Sequence, residues 1–398
     1  MDTNERLEVA QDSARGWAIA VLGLVILTLV WGFIFTFTVY ADPLATAYDL
    51  SSFQTSSIFS IMTASFFVAG GGLGLLIARL PLRPVVAIVA VGLAVAIAML
   101  QFVSSYAGVI VAFVLVGTTG GTMFVIVTAL VPQWFDVYQG RAMGVAMTGN
   151  GLGILVLPPA WLWLLERTHL RMAFAVVGGI TVASFLLASP LYRRPPGIRA
   201  AAATTVDLAW IRKALADRTL RVAIMGFAIM WSWYFVLSAD LVDILTSAGI
   251  ERSVAATAFG IVGGISVVTR ILSGSLADRL GLRVTFTTGV GFAAVAVLSL
   301  IWVDSLIGMY VVLAVFGFSL GAIATLFSPI ILGKFGHENA VAIIGLFTVF
   351  ESITAFFVPV AVGFLVQVTG GYDLPLVLLA AVTLLGVGLF HWATKPSR

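Results

Sequence analysis

Twelve apolar runs follow one another along this chain, each near the ~20 residues that a helix needs to cross a bilayer. With soft edges they cover 17–40, 53–78, 84–103, 107–132, 142–165, 172–192, 219–246, 253–277, 284–303, 306–332, 341–367 and 375–393. The connections are short except for 193–218, which holds Pro195-Pro196 and the greatest local density of arginine. The pattern predicts an N-terminal bundle over 1–192, a linker over 193–218 and a C-terminal bundle over 219–398. Within the linker, the stretch from Val206 to Asp217 reads as a short amphipathic helix on the membrane surface.

Composition sharpens the class. The 398 residues are 61% hydrophobic and 10% charged, against about 25% charged in soluble domains. This is an all-α membrane protein. Residues 1–16 are polar and mixed in charge, so no secretory leader is expected. The chain contains no cysteine, which excludes disulfides and thiol chemistry. A net charge of +3 would suit nucleic-acid binding in a soluble protein. Here the basic residues sit in short loops, and topology explains them better. Counting lysine and arginine with the N-terminus inside places 17 of the 21 on the cytoplasmic side. Both termini are therefore expected in the cytoplasm, in a cell or inner membrane.

An internal repeat supports two related halves. Gly74-Leu-Leu-Ile-Ala-Arg79-Leu80-Pro81-Leu82-Arg83 follows the second run, and Gly274-Ser-Leu-Ala-Asp278-Arg279-Leu280-Gly281-Leu282-Arg283 follows the eighth, 200 residues later. Both read G-x4-R-L-x-L-R. Parallel repeats with a substrate site at the bilayer midplane between them are a transporter plan.

These residues resemble the major facilitator superfamily over essentially the full length, which implies twelve transmembrane helices in two six-helix bundles. Gly274, Asp278, Arg279, Gly281 and Arg283 match its cytoplasmic G-x-x-x-D-R-x-G-x-R signature. The first copy has Ala78 in place of the acid and Pro81 in place of glycine. With Arg79, Arg83 and Arg141, these positions imply a cytoplasmic gating cluster that holds the halves together when the outer side is open. The segments Ala78 to Val86, Arg141 to Gly149, Thr269-Arg270 and Gly345 to Glu351 are similar to the monocarboxylate transporters and oxalate–formate antiporters. In that branch an arginine of the eighth helix binds the substrate carboxylate, and Arg270 matches it. A glutamate also occurs at the Glu351 position. Two departures stand out. The lysine used for proton coupling in animal members aligns with Phe35, and an aspartate four residues before the arginine aligns with Ser266.

Physical chemistry supports attention to Arg270 independently. A mid-membrane arginine costs roughly 2.5–3.5 kcal/mol on insertion scales. Of 39 charged side chains only Glu351 lies as deep. At 1.5 Å per residue, Arg270 lies about 12 Å in from Asp278 and Glu351 about 15 Å in from Val341. They share a depth, and the resemblance implies that their helices are neighbours facing the cavity, so the pair could approach. A guanidinium fork suits a carboxylate better than a lysine. The bland alternative is a structural ion pair between packed helices.

Other candidates are weaker. Aligning the repeats puts Asn150 opposite Glu351, as a neutral donor to substrate or a helix-contact amide. Ser266 lies one turn from Arg270, as a second donor or as interhelical glue. Phe35, Trp31, Phe124 and Tyr234 are candidate walls for an apolar substrate tail, with ordinary packing as the alternative. Asp240 and Asp243 read as hydrated acids near the outer end of helix seven, with cation attraction as the alternative. His169, His337 and His391 sit in loops or at span ends and offer no proton relay.

The glycine runs Gly70–Gly74 and Gly117–Gly121 lie inside apolar spans. There they permit close helix approach, whereas a dinucleotide fingerprint needs a preceding strand. No phosphate-loop, H-E-x-x-H or G-x-S-x-G sequence occurs, so no enzyme, cofactor or metal is expected. The reading is a monomeric secondary transporter of small organic anions, chiefly monocarboxylates, working by alternating access with proton symport through Glu351. Its expected partners are the carboxylate, protons and the bilayer, with no nucleic acid. Proton-independent exchange, drug efflux and metabolite sensing are the alternatives.

Overall fold

The computed structural model describes residues 12–77, 80–195, 208–335 and 340–395. It is all-helical among the described residues. In the first half, α1 (Ala14–Phe35) and α2 (Phe37–Tyr48) form one interrupted span. They are followed by α3 (Ser52–Ile77), α4 (Leu82–Phe102), α5 (Tyr106–Leu130), α6 (Gln139–Arg167) and α7 (Leu170–Leu191). The short helix α8 (Leu208–Ala216) occupies the predicted amphipathic stretch, whose first two residues lie outside the described residues. In the second half, α9 (Arg218–Met230) and α10 (Ser232–Ser247) form another interrupted span. They precede α11 (Arg252–Leu280), α12 (Leu282–Ser299), α13 (Leu306–Phe335), α14 (Ala340–Thr369) and α15 (Asp373–Ala393).

Among the described residues, eleven segments are long and apolar enough to cross a membrane. The remaining predicted span corresponds to the 26-residue α3, whose first turns are diluted by Ser, Thr and Gln. Bilayer-facing surfaces are apolar as well as buried ones. On α4, Ile88, Val91 and Val95 are exposed while Val86, Ala90, Leu93 and Ile97 are buried. A helix apolar all round belongs in lipid or in a large core.

Small residues set the helix spacing. A Cβ on Gly117 would strike the Met62 carbonyl, and one on Gly121 the Phe66 carbonyl, so α5 lies against α3 backbone to backbone. Exactly 200 positions on, Gly317 and Gly321 bring α13 onto Val262, Ile265, Ser266 and Thr269 of α11. The repeat is therefore structural as well as textual. Its arginines agree: Arg83 donates to the Pro190 carbonyl at 3.0 Å at the end of α7, and Arg283 donates to the His391 carbonyl at 2.7 and 3.0 Å at the end of α15. A cation at a helix C-terminus satisfies orphan carbonyls and the helix dipole. The two copies differ at their turn. Pro81 caps α4 in an extended conformation, whereas Gly281 caps α12 with φ +88°, a value that favours glycine.

Both interruptions lie in the lead span of a half. At the first, the Thr36 hydroxyl bonds the Gly32 carbonyl. At the second, the Ser232 hydroxyl bonds the Ile229 carbonyl at 2.5 Å. Hydroxyls that bond back to preceding carbonyls bend helices. Between the halves, α3 packs along α14, α6 along α11, and α10 against α1 and α2. The face carrying Arg83, Arg193 and Arg283 is called the basic face below; the face carrying Asp42, Asp243 and Arg252 is the acidic face.

Candidate functional site

The α6–α11 crossing positions Arg270. Gly151 sits where a Cβ would lie 3.0 Å from the Gly263 carbonyl and 3.0 Å from the Ser266 hydroxyl, so the two helices touch. One to two turns further along α11, the Arg270 side chain reaches across to α6. There a terminal guanidinium nitrogen donates to the Met147 carbonyl at 2.5 Å. Its Nε is buried without a partner. Among the described residues Arg270 forms no ion pair; the bridges are Arg167–Glu166, Arg252–Asp42 and Arg252–Asp243.

No ion pair joins Arg270 and Glu351 among the described residues. Glu351, on α14, is 6% exposed and makes no hydrogen bond or ion pair among the described residues. Tyr234, on α10, is 2% exposed. Equal depth on two helices does not by itself bring two side chains together.

Tyr234 also joins an aromatic cluster. Its ring lies 5.3 Å from Phe35, and its hydroxyl accepts from the Trp31 indole at 3.0 Å across the two halves. Trp31 packs against Phe35, Phe66 and Phe124 at 4.7, 5.5 and 5.3 Å. The structure thus unites the four aromatic candidates and adds Phe66. The cluster lies beside both helix interruptions, and unwound segments at mid-depth are where carriers of this plan bind substrate.

Asn150 is 4% exposed and its Oδ1 is buried without a partner, three residues along α6 from Met147. Ser266 is fully buried and donates to the Gly263 carbonyl at 2.7 Å, inside the helix crossing. Its position is that of a packing residue, although its oxygen retains acceptor capacity.

Among the gating candidates, Arg79 lies outside the described residues. Gly274 lies in the helical backbone of α11. Arg141, Asp278 and Arg279 are exposed, and Arg141 lies over the Tyr138 ring at 5.3 Å. None of them pairs with the opposite half among the described residues. Arg83 and Arg283 instead tie helices within their own halves, as described above.

At the acidic face, the reading of Asp240 and Asp243 as hydrated acids is overturned for Asp240, which is 7% exposed. Asp243 accepts from Arg252 at 3.1 Å, and the same nitrogen of Arg252 also pairs with Asp42 of the other half. Sequence reasoning missed this bridge and the carbonyl partner of Arg270. The first had a signal, because Arg252 is one of only three arginines expected in the outer loops. A backbone carbonyl leaves no trace in a sequence.

The fold and the site together define a polytopic membrane carrier of two six-helix bundles, with a charged centre where the bundles meet. A sequence profile of the Major Facilitator Superfamily matches residues 19–359, and the chain belongs to that superfamily, whose members are transporters and not enzymes. The expected likeness to the monocarboxylate branch is borne out at low identity. The chain is 26% identical over 387 residues to monocarboxylate transporter 13 of Rattus norvegicus, covering 95% of this chain and 89% of that one. It is 27% identical over 382 residues to monocarboxylate transporter 3 of Rattus norvegicus, covering 91% and 76%. Monocarboxylate transporter 11 of Homo sapiens is 24% identical over 393 residues, covering 94% and 82%. Among solved structures, a bacterial homologue of the human lysosomal transporter Spinster, in an inward-facing and unoccupied conformation, aligns with TM-score 0.73. It covers 96% of this chain and 98% of that one at 15% identity, and at that identity the likeness carries the fold alone.

Proposed function

We propose that this protein carries small organic anions, chiefly monocarboxylates, by alternating access, with Arg270 binding the carboxylate. The observation that carries the reading is a membrane-embedded guanidinium with no acidic partner among the described residues. One of its nitrogens is held by a backbone carbonyl, and its Nε has no partner. A buried cation without an anion is costly, and a substrate carboxylate supplies the missing charge with bidentate geometry. The donor Asn150 would offer to substrate, one turn from Met147, is its amide Nδ2, since the unpartnered Oδ1 can only accept. Trp31, Phe35, Phe124 and Tyr234 form the apolar wall. The names of the relatives, monocarboxylate transporters, support the same substrate class.

Glu351 is the coupling group in this reading. A second negative charge entering a low-dielectric site favours the neutral form of a buried carboxyl group. Substrate and proton then cross together. Symport is favoured over proton-independent exchange because Glu351 is buried and unpaired. The chain is placed in the cell membrane as a monomer, with the basic face and both termini in the cytoplasm. Residues 193–218 link the bundles over 1–192 and 219–398.

Arg270→Lys tests the reading in proteoliposomes. The substitution keeps the charge and removes the fork, and uptake of the best monocarboxylate is expected to fall at least tenfold. Unimpaired uptake would overturn carboxylate binding by Arg270.

A further inference from the structure

Near the acidic face, α2, α3, α10 and the turn joining α14 to α15 enclose a cavity of about 90 Å³. Its polar lining includes Asp42, Thr55, Ser56, Asp240, Asp243 and Tyr372. Along α11, Arg252 and Arg270 are separated by about 27 Å at 1.5 Å per residue, so this cavity is distinct from the carboxylate site.

Charge in the cavity does not balance. Asp42 and Asp243 share the guanidinium of Arg252. Asp240 is 7% exposed and its Oδ2 is buried with no hydrogen-bond partner. The charged group acting on Asp240 from its own helix is Asp243, which adds repulsion. From the other elements come Asp42 of α2 and Arg252 of α11, already paired with each other, and the phenol of Tyr372, which feels all four charges. From α3 come only hydroxyls, and from α14 the wall at Gly363 and Val366. A buried carboxylate in this position needs a positive partner. The volume exceeds the ~30 Å³ that one water occupies in the liquid, which leaves room for a small ion with part of its hydration shell. The lining carboxylates do not form a three-acid metal cluster among the described residues. One unpaired carboxylate with hydroxyl oxygens suits a singly charged ion better than a divalent cage of several carboxylates.

We propose that this cavity is a monovalent-cation site, in which Asp240 takes up a sodium ion or a proton from the acidic face. The site is independent of the substrate assigned to Arg270.

The test uses the purified full-length chain in detergent, with thermal unfolding followed at constant ionic strength. In one arm sodium chloride replaces choline chloride at fixed pH; in the other the pH is lowered in choline chloride. A saturable rise of the midpoint with sodium identifies a sodium site, and a rise with acid alone identifies a proton site. Asp240→Asn is expected to abolish whichever response the wild type shows. Arg270→Gln is expected to keep it, which separates failure of this site from failure of the carboxylate site. Binding of radioactive sodium to the wild type, and proton uptake measured by pH-stat, give readings that do not depend on any variant folding. A wild type that binds neither ion, or an Asp240→Asn protein that responds as the wild type does, would overturn the proposal.

Discussion

In the proposed cycle a single glutamate separates symport from exchange. Glu351 is almost fully buried and lacks a partner among the described residues. Glu351→Gln keeps the shape and removes the titratable proton. Proton-driven accumulation of the carboxylate is expected to vanish in proteoliposomes, while counterflow at fixed pH persists. Normal accumulation in that variant would move coupling elsewhere, with the acidic-face cavity as the next candidate. Asp12, outside the spans, illustrates a titration of a different kind. Its carboxylate accepts from the amides of Asp136, Val137 and Tyr138 at 3.3, 3.1 and 3.2 Å. Desolvation, the largest single effect, raises its pKa, but the three donors together leave it below the ordinary 3.8. A depressed folded pKa stabilises above the unfolded value and is lost as the pH falls through the folded one. The advantage of wild type over Asp12→Asn in thermal unfolding should be full near neutrality and fade below about pH 3.8. An advantage that is constant with pH would contradict this account.

At the scale of elements, packing rests on glycines that seat one backbone on another. Gly121→Val pushes a branched side chain into the Phe66 carbonyl on α3, and overpacking of this kind costs about 1–3 kcal/mol. Gly291 on α12 has nothing within 4 Å of its would-be Cβ, so Gly291→Ala serves as the control. The first variant should unfold at a clearly lower temperature in detergent and the second should not; equal midpoints would refute the argument. These elements were largely legible beforehand. Each of the twelve runs corresponds to helix, most of them close to their expected bounds, because spans of this length are dictated by the bilayer and by hydropathy; the first, expected to end at 40, runs on to Tyr48. The repeat at Arg83 and Arg283 and the small-residue faces at Gly117 to Gly121 were legible for the same local reason. The interruptions at Thr36 and Trp231 were not. No proline or glycine marks them, and a hydroxyl bonding to its own helix looks no different in sequence from one on a straight helix. The site was half legible. Chemistry singled out Arg270, Glu351 and the aromatic wall, but pairing of Arg270 with Glu351 depends on how α11 and α14 pack, and no ion pair joins them among the described residues. Asp240 looked like an interfacial acid because burial near a helix end is decided by neighbours distant in sequence.

The whole molecule is tied asymmetrically, and the asymmetry shows what must break during a transport cycle. At the acidic face Arg252 joins Asp42 of the first half to Asp243 of the second, and the Thr38 hydroxyl accepts from the Val242 amide at 2.8 Å. Deeper in, Trp31 meets Tyr234 and the Thr63 hydroxyl reaches the Ala355 carbonyl at 3.4 Å. Arg270 and Met147 make the tie nearest the basic face, where Asp278 and Arg279 are exposed. The proposed alternating access requires the acidic-face tie to open, so Arg252 is the place to weaken it. A partly exposed ion pair of this kind contributes little, on the order of 1 kcal/mol, but a few kcal/mol separate such conformers and a small bias changes their populations measurably. The chain contains no cysteine, so Thr55→Cys in the acidic-face cavity gives a single reporter without further engineering. Adding Arg252→Gln should raise its labelling rate by a membrane-impermeant maleimide several-fold, as the halves part more often at this face. Labelling at an unchanged rate would mean that Thr38, Trp31 and the helix contacts hold the face closed and that the arginine bridge has no part in gating.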